Sequence, residues 1–253
     1  MENKTKKMQD IFRVQEIQQN SPAQKNCEKQ FSVSRNSRIS GMINSVLANN
    51  KDRKNIKKIA KVIEKVDRKY FTKSDNPYID APIPIGSGQT ISQPTTVARM
   101  ISLLELEKGQ NILEIGGGSG WNAALIAYIV KPGKVYSIER IKSLVELAQK
   151  NYNSVKSKLN ANVEFVFADA LDKSGKIWKT KYDRIITTAA ASPMFIEDLI
   201  EMGKSLLKEN GLILFPTEDG NLELWQLKDK RLMKIYSEYG YAFVPLVKGT
   251  RQF

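Results

Sequence analysis

The sequence predicts an α/β protein with a Rossmann-like, doubly wound and mostly parallel sheet, helices on both faces, antiparallel C-terminal strands and a helical N-terminal annex. The first observation is that short apolar segments alternate with helical patterns from residue 111 onwards, as in parallel sheets covered by helices. The second is a glycine-rich loop, Gly116-Gly117-Gly118-Ser119-Gly120, directly after the first of these segments. The third is that the last three apolar segments follow one another without a helical pattern between them, which is typical of antiparallel strands.

The N-terminal part divides into a tail and an annex. Residues 1–36 are rich in Lys, Gln, Asn and Ser with little periodicity, so we expect a flexible polar and basic tail. Residues 37–110 are expected to form the helical annex and a turn-rich loop around Gly86-Ser87-Gly88. Apolar residues at helical spacing predict helices over 38–48, 54–66 and Val97 to Leu106.

The core is predicted to occupy residues 111–253 and to form a single globular unit with the annex. Its apolar segments have the length and β-branched content of buried strands. The predicted strands are Ile112–Ile115, Val135–Ile138, Val163–Phe167, Arg184–Thr187, Leu212–Phe215, Leu222–Leu227, Met233–Tyr236 and Tyr241–Leu246, with helices over about 120–130, 142–155 and 196–207.

Composition excludes several kinds of site. The chain contains no histidine, and Cys27 is its single cysteine. This excludes a Ser-His-Asp triad, a histidine general base and a His/Cys zinc site, and we expect no metal. The N-terminus is polar, and the longest apolar run, Ala123 to Val130, is too short to span a bilayer. The lack of disulfide pairs fits a reducing compartment, so we expect a cytoplasmic protein without a membrane segment.

Positive charge is concentrated near the N-terminus. The formal net charge is +13, and residues 37–80 hold eleven basic and five acidic side chains. Such a patch attracts anionic partners, which leaves nucleic acid open as a partner. Ile56, Ile59 and Ile63 recur at helical spacing, however, so the lysines fall on the opposite side. This pattern favours an ordinary solvated helix face.

Acidic residues around the glycine loop indicate which ligand it binds. Glu139 ends the second predicted strand, nineteen residues after Gly120, where a carboxylate can accept hydrogen bonds from ribose hydroxyls. Dinucleotide sites need a glycine or alanine where Trp121 stands, and Glu114 suits a cationic sulfonium better than a pyrophosphate. Asp169 follows the third strand, where it can bind an adenine amino group. These features favour S-adenosylmethionine over NAD.

The segment Pro84-Ile85-Gly86-Ser87-Gly88-Gln89-Thr90-Ile91-Ser92-Gln93-Pro94 resembles the signature of the protein-L-isoaspartate O-methyltransferase family. The resemblance covers about residues 37–253. It continues in Val66–Phe71, Tyr78-Ile79-Asp80, Leu113–Trp121, Ser137–Arg140, Tyr182-Asp183, Ala189–Ala191 and Phe243–Leu246.

The resemblance implies transfer of a methyl group from S-adenosyl-L-methionine to the α-carboxylate of L-isoaspartyl residues in damaged proteins or peptides. The ester then forms a succinimide, which allows repair, and the enzyme is expected to act as a monomer. Ser92 corresponds to the family's active-site serine, and Gly86, Ser87 and Gly88 belong to the substrate loop. The implied cofactor-binding residues are Gln89, Thr90, Ile91, Glu114, Gly116, Gly118, Gly120, Glu139, Asp169, Ala170 and Gln252.

The chemistry of the residues agrees with this activity. A carboxylate is already an ionised nucleophile at neutral pH, so a chain without histidine needs no general base for it. The protein has to desolvate and orient that carboxylate, and the hydroxyl of Ser92 is suited to hold it. Ala170, Asn210 and Val247 depart from the family pattern, which leaves room for a divergent acceptor.

Three alternatives remain open. A family relative could methylate an aspartate of one dedicated peptide. An RNA or DNA methyltransferase would use the basic N-terminus. Cytosine-C5 methylation needs a cysteine nucleophile in the core, however, and Cys27 lies in the tail. Adenine-N6 enzymes typically have an Asn/Asp-Pro-Pro-aromatic loop where this chain has Thr187-Thr188-Ala189-Ala190. A binding module without turnover is the third, and the intact Gln89–Ser92 segment argues against it.

Overall fold

The computed structural model describes residues 37–252. The predictions for the tail and for Cys27 lie outside the described residues. Residues 37–49 are helical (α1), and 3-10 turns cover Arg68–Phe71 and Lys176–Lys179. The further helices are α2 (Ile56–Lys65), α3 (Pro94–Leu103), α4 (Trp121–Val130), α5 (Lys142–Asn153), α6 (Lys156–Leu159) and α7 (Pro193–Leu206). The strands are β1 (Ile83–Gly86), β2 (Gln89–Ile91), β3 (Asn111–Ile115), β4 (Lys134–Glu139), β5 (Asn162–Phe167), β6 (Tyr182–Thr187), β7 (Leu207–Pro216), β8 (Asn221–Lys228) and β9 (Arg231–Tyr239).

The main sheet has seven strands in the order β5-β4-β3-β6-β7-β8-β9. The first five run parallel, and β8 and β9 continue the sheet as an antiparallel meander. From β3 the chain winds first through β4 to β5 and then returns to β6 on the other side. The predicted doubly wound sheet with antiparallel C-terminal strands is confirmed.

Alternate residues of the central strands enter two different hydrophobic clusters. Ile112 and Leu214 belong to one cluster, which also contains the buried apolar residues of α1 and α2, most of those of α3 and α4, and Tyr152 of α5. Leu113 and Ile213 belong to the other, which contains the buried face of α7. Successive residues of a strand point to opposite faces, so helices cover both sides of the sheet. The annex packs on the same face as α4 and α5.

Two local predictions need correction. Tyr241–Leu246 does not form a strand; it is an extended segment that makes a single bridge, between Pro245 and Ala190. Pro245 has no N–H to donate to a neighbouring strand, which limits strand pairing near the end of this segment. The predicted loop around Gly86-Ser87-Gly88 contains a small antiparallel hairpin, in which Ile83 pairs with Ile91. Its turn residues have positive φ values of 98°, 54° and 74°.

The helix after Ser92 begins at Pro94, three residues before the predicted start. Proline is well suited to the first position of a helix because its missing N–H would have no partner there. The carboxylate of Asp80 accepts hydrogen bonds from the Thr95 backbone N–H at 2.9 Å and from its hydroxyl at 2.5 Å. A side chain from outside the helix therefore caps it. Among the described helices, none is long and apolar enough to cross a membrane.

Candidate active site

A cavity of about 810 Å³ lies at the carboxyl ends of β3, β4, β5 and β6. Open α/β sheets bind ligands at this edge, between the two strands from which the chain winds in opposite directions. Here those strands are β3 and β6. One wall is formed by the loops after the four strands, and another by β2 and the start of α3. The topology therefore brings separate parts of the sequence around one space.

The glycine loop forms the floor of the cavity. The backbone N–H groups of Gly116 and Gly117 both donate to the carbonyl of Ile138, at 2.8 and 3.0 Å, which holds the loop against the end of β4. Gly116 has a φ of +94°, and the hydroxyl of Thr188 donates to its carbonyl at 2.6 Å. A Cβ at Gly116 would collide with that hydroxyl. Only glycine suits this position.

Glu139 ends β4 and lies on the cavity wall. Its Oε2 accepts a hydrogen bond from the Gly118 N–H and its Oε1 accepts one from the Ile141 N–H, each at 3.0 Å. Two backbone donors thus orient a buried carboxylate while each oxygen keeps acceptor capacity. Such a group can accept hydrogen bonds from vicinal hydroxyls.

Asp169 is held in the same way after β5. Its Oδ1 accepts from the Leu171 N–H at 2.9 Å, and its Oδ2 accepts from the Gly249 N–H at 2.7 Å. Asp169 and Ala170 both line the cavity. Because Gly249 lies near the C-terminus, the position of this carboxylate depends on the end of the chain as well as on the sheet.

The second wall contains the predicted residues Gln89, Thr90, Ile91 and Ser92. Ser92 stands between β2 and α3 and is partly exposed. Within residues 37–252 its hydroxyl makes no hydrogen bond, so it is free to bind a ligand. The structure therefore places Ser92 on the same cavity as Glu139 and Asp169.

Glu114 does not line the cavity. Its side chain is fully buried beneath the glycine loop, where it accepts hydrogen bonds from the hydroxyl of Ser137 at 2.5 Å and from the amide of Asn122 at 2.8 Å. Burial raises the pKa of Glu114 to about 7, although these hydrogen bonds oppose the shift. This position supports the loop rather than a direct contact with a ligand.

Some of the remaining predicted site residues do not line the cavity. Gly120 ends the glycine loop, has a φ of +82° and is the N-cap residue of α4. Gln252 is exposed, and Gly86, Ser87 and Gly88 form the exposed hairpin turn. None of these residues is part of the cavity wall. Their predicted contacts with cofactor or substrate stay predictions.

Most residues of the third wall are not among the site residues predicted from the sequence. Residues 239–247, which follow from β9, line the cavity, as does Arg140. We call residues 240–252 the C-terminal strap. It crosses the carboxyl edge of the sheet through hydrogen bonds between the Leu246 N–H and the Ala190 carbonyl, at 2.7 Å, and between the Arg251 N–H and the Arg140 carbonyl, also at 2.7 Å. The sequence signals for Arg140 are its place directly after Glu139 and its position in the Ser137–Arg140 segment of the family resemblance.

The donor set fits S-adenosyl-L-methionine. A volume of about 810 Å³ lies within the range of cofactor and ligand pockets. The glycine loop allows close approach to the sheet edge, and Glu139 and Asp169 supply fixed acceptors for ribose hydroxyls and an adenine amine. Residues 37–252 contain no group of three or more His, Cys, Asp and Glu that could hold a metal ion.

Comparison with known proteins agrees with this geometry. A family model described as Protein-L-isoaspartate(D-aspartate) O-methyltransferase (PCMT) matches residues 42–251. A protein-L-isoaspartate O-methyltransferase of Pyrococcus abyssi is 44% identical over 176 residues, which cover 67% of this chain and 76% of the relative. One of Thermococcus onnurineus is 41% identical over 200 residues, which cover 75% and 85%.

Solved structures show the same likeness. A crystal structure from Plasmodium falciparum, described as a protein-L-isoaspartate O-methyltransferase in complex with S-adenosyl-L-homocysteine, superimposes with a TM-score of 0.61 at 28% identity and covers 76% of this chain and 90% of its own. A second protein-L-isoaspartate O-methyltransferase gives a TM-score of 0.63 at 27% identity, covering 74% and 60%. With the family model matching most of its length, this chain belongs to the protein-L-isoaspartate O-methyltransferase family.

Proposed function

We propose that this chain is an S-adenosyl-L-methionine-dependent protein-L-isoaspartate O-methyltransferase that repairs damaged proteins and peptides. The observation that carries the proposal is that the hydroxyl of Ser92, which makes no hydrogen bond within the described part of the chain, shares one cavity with the oriented carboxylates of Glu139 and Asp169. A cofactor held by the carboxylates faces a wall that can hold an acceptor. Family membership supports the same activity.

The chain's own residues have two tasks in this reaction. When bound, the cofactor supplies an electrophilic methyl group. Glu139 and Asp169 hold its nucleoside, with the glycine loop beneath. Ser92 donates a hydrogen bond to the acceptor carboxylate and orients it, and the apolar side chains of the cavity wall displace part of its water. No residue has to remove a proton, because the carboxylate is ionised at neutral pH.

We propose a protein or peptide acceptor rather than nucleic acid. Arg140 is the one basic side chain on the described cavity wall. The lysines of α2, such as Lys57 and Lys61, are exposed on its outer face and do not line the cavity. A nucleic-acid substrate needs basic side chains along its path to the site, and the cavity wall does not supply them. We propose that the monomer is the active unit, since every wall of the cavity comes from one chain.

The test is methyl transfer from labelled S-adenosyl-L-methionine to three acceptors in parallel. These are an isoaspartyl peptide, the same peptide with ordinary aspartate, and bulk tRNA. We expect base-labile label on the isoaspartyl peptide alone, because methyl esters of carboxylates hydrolyse readily in base. Ser92→Ala should reduce that label.

Other outcomes would contradict the proposal in distinct ways. Label on tRNA alone would identify a nucleic-acid methyltransferase. Equal label on both peptides would remove the selectivity for isoaspartate. Absence of label from all three, with S-adenosyl-L-homocysteine still bound, would favour a dedicated peptide acceptor or a binding module.

A further inference from the structure

Arg68 lies behind the second wall of the cavity, which contains Gln89 to Ser92 and which we call the Ser92 wall; it does not line the cavity itself. It belongs to the 3-10 turn after α2 and is fully buried. Among the residues that the structure describes, its guanidinium donates only to backbone carbonyls of the segment 77–92, which contains the β1–β2 hairpin. Nη1 donates to the carbonyls of Pro77 (3.0 Å) and Ile79 (2.8 Å), and Nη2 to those of Ala81 (2.9 Å), Ser92 (3.0 Å) and, at a longer 3.4 Å, Ile91.

These acceptors come from the two ends of one segment. Pro77, Ile79 and Ala81 precede the hairpin, while Ile91 and Ser92 follow it. The planar guanidinium therefore closes the segment into a loop whose ends are held a fixed distance apart. Because the carbonyl of Ser92 is itself an acceptor, the bond network reaches the backbone of the residue that we propose to be catalytic.

The charge of Arg68 is retained despite its burial. Burial lowers the pKa of Arg68 to about 10, while the negative charge of Asp80 opposes the shift. The side chain is therefore protonated at neutral pH. Asp80 also caps α3 through Thr95. Arg68 therefore holds the carbonyl of Ser92, and Asp80 holds the start of the helix that follows Ser92.

Arg68 also contacts the cofactor side of the cavity. Its guanidinium carbon lies 5.3 Å from the ring centroid of Trp121, within the range of a cation–π contact. Trp121 begins α4 directly after the glycine loop and lines the cavity. Its indole N–H donates to the Val66 carbonyl at 2.9 Å. One buried side chain therefore touches both the Ser92 wall and the first residue behind the glycine loop.

We propose that Arg68 is a positioning residue that sets the distance and angle between Ser92 and the bound cofactor. The expected loss of turnover rests on the proposed function, whereas the expected ordering of residues 77–92 by Arg68 does not. A lysine at this position keeps the charge and has three donors on one atom, which cannot reach carbonyls spread around a planar fork. Displacement of Ser92 by about 1 Å is sufficient to reduce turnover by about 10²-fold.

The test compares Arg68→Lys with a matched variant, Arg184→Lys. Arg184 also donates to backbone carbonyls, those of Leu104 at 2.6 Å, Asp183 at 2.8 Å and, at a longer 3.4 Å, Glu105. It does not line the cavity, and none of its acceptors belongs to the segment 77–92. Three quantities are measured for both variants: the Kd for S-adenosyl-L-homocysteine, kcat on the isoaspartyl peptide and the rate of backbone hydrogen exchange. Saturating S-adenosyl-L-homocysteine in the exchange experiment stabilises the native state of each variant.

We expect Arg68→Lys to lower kcat by about 10²-fold, to leave the Kd for S-adenosyl-L-homocysteine unchanged and to speed exchange within residues 77–92 only. Arg184→Lys should keep the wild-type kcat. Parallel loss of cofactor binding and turnover, or failure of Arg68→Lys and of a second variant, Arg68→Gln, to fold, would make Arg68 a general folding residue and overturn the proposal. An unchanged kcat with unchanged exchange would also overturn it. If the wild type is itself inactive on the isoaspartyl peptide, the proposed function fails, and the exchange of residues 77–92 still decides the inference.

Discussion

Arg99 and Glu238 form a two-pronged ion pair in which Nε–Oε2 and Nη2–Oε1 are both 2.9 Å. Arg99 lies on α3, directly behind the Ser92 wall, and Glu238 lies near the end of β9, where the C-terminal strap starts. The third nitrogen of Arg99 contacts both oxygens of Asp52 at 2.7 Å. The hydroxyl of Tyr241, a cavity residue, donates to Glu238 at 2.9 Å. This cluster therefore joins the annex, the Ser92 wall and the strap.

We expect Arg99→Met to destabilise the protein by about 2 kcal/mol, because it leaves Glu238 partly buried without its cation. Lys173→Met is the matched control, since Lys173 pairs with Glu201 where both side chains are about half exposed. Exposed ion pairs of this kind contribute about 0.2–1 kcal/mol to the free energy of unfolding. Urea unfolding of both variants measures the difference. Equal effects would show that the Arg99 cluster is no more than a surface ion pair.

Ser92→Ala should lower kcat/KM on the isoaspartyl peptide by roughly 5- to 150-fold. This range corresponds to loss of one orienting hydrogen bond of about 1–3 kcal/mol. The affinity for S-adenosyl-L-homocysteine should not change, because Ser92 is assigned to the acceptor. Steady-state kinetics and calorimetric titration test both statements. Ser205→Ala, at an exposed site on α7, should match the wild type; a weaker cofactor affinity in Ser92→Ala would assign the hydroxyl to the cofactor instead.

Glu139→Gln should weaken binding of S-adenosyl-L-homocysteine by about tenfold or more, since hydrogen bonds to a charged acceptor contribute about 1.5–3 kcal/mol. The Gln amide also presents a donor to one of the two backbone N–H groups that orient the carboxylate. Isothermal titration calorimetry measures the change. Glu146→Gln, an exposed carboxylate on α5, serves as the control. Equal affinities for the two variants would contradict the assignment of Glu139.

Gly116→Ala should abolish detectable cofactor binding at concentrations that saturate the wild type. The new methyl group meets the Thr188 hydroxyl, and a φ of +94° is strained for alanine. Gly41→Ala is the control: it lies in α1 with nothing within 4 Å of an added Cβ and should stabilise the helix by about 0.5–1 kcal/mol. Calorimetric titration and thermal melting report the two effects. Normal binding by Gly116→Ala would show that the loop relaxes without loss.

Glu114→Gln should gain stability relative to the wild type as the pH rises from about 4.5 to about 7. Burial raises the pKa of Glu114 to about 7 from an ordinary 4.5, so the folded state keeps a proton that the unfolded state has released. Wild-type stability contributed by this group therefore falls with rising pH through that window and is level above it. A neutral amide does not titrate.

Urea unfolding at pH 5 and pH 8 tests this prediction. The difference in unfolding free energy between Glu114→Gln and the wild type should shift in favour of the variant at pH 8. Glu64→Gln, at an exposed site on α2, should show the same difference at both values. A constant difference for Glu114→Gln would mean that this carboxyl group ionises normally.

Much of the site could be predicted because parallel strands place their carboxyl ends at one edge. The glycine loop, Glu139 and Asp169 each follow a strand with a clear apolar pattern, so their convergence follows from the predicted sheet. The Ser92 segment was identified by its resemblance to a family rather than by periodicity. The small hairpin within it was missed, since its strands are only four and three residues long.

Periodicity, glycines and short motifs are local properties, and they were sufficient to predict the fold class, the family and the residues at the strand ends. Tertiary packing alone places Glu114 beneath the cavity, leaves Gln252 outside its wall and brings residues 239–247 into a third wall. It also decided the partners of Arg68 and Arg99, whose acceptors lie up to 139 positions away along the chain. Contacts of this kind depend on how packed elements meet, and a buried guanidinium satisfies whichever carbonyls and carboxylates the fold brings within reach.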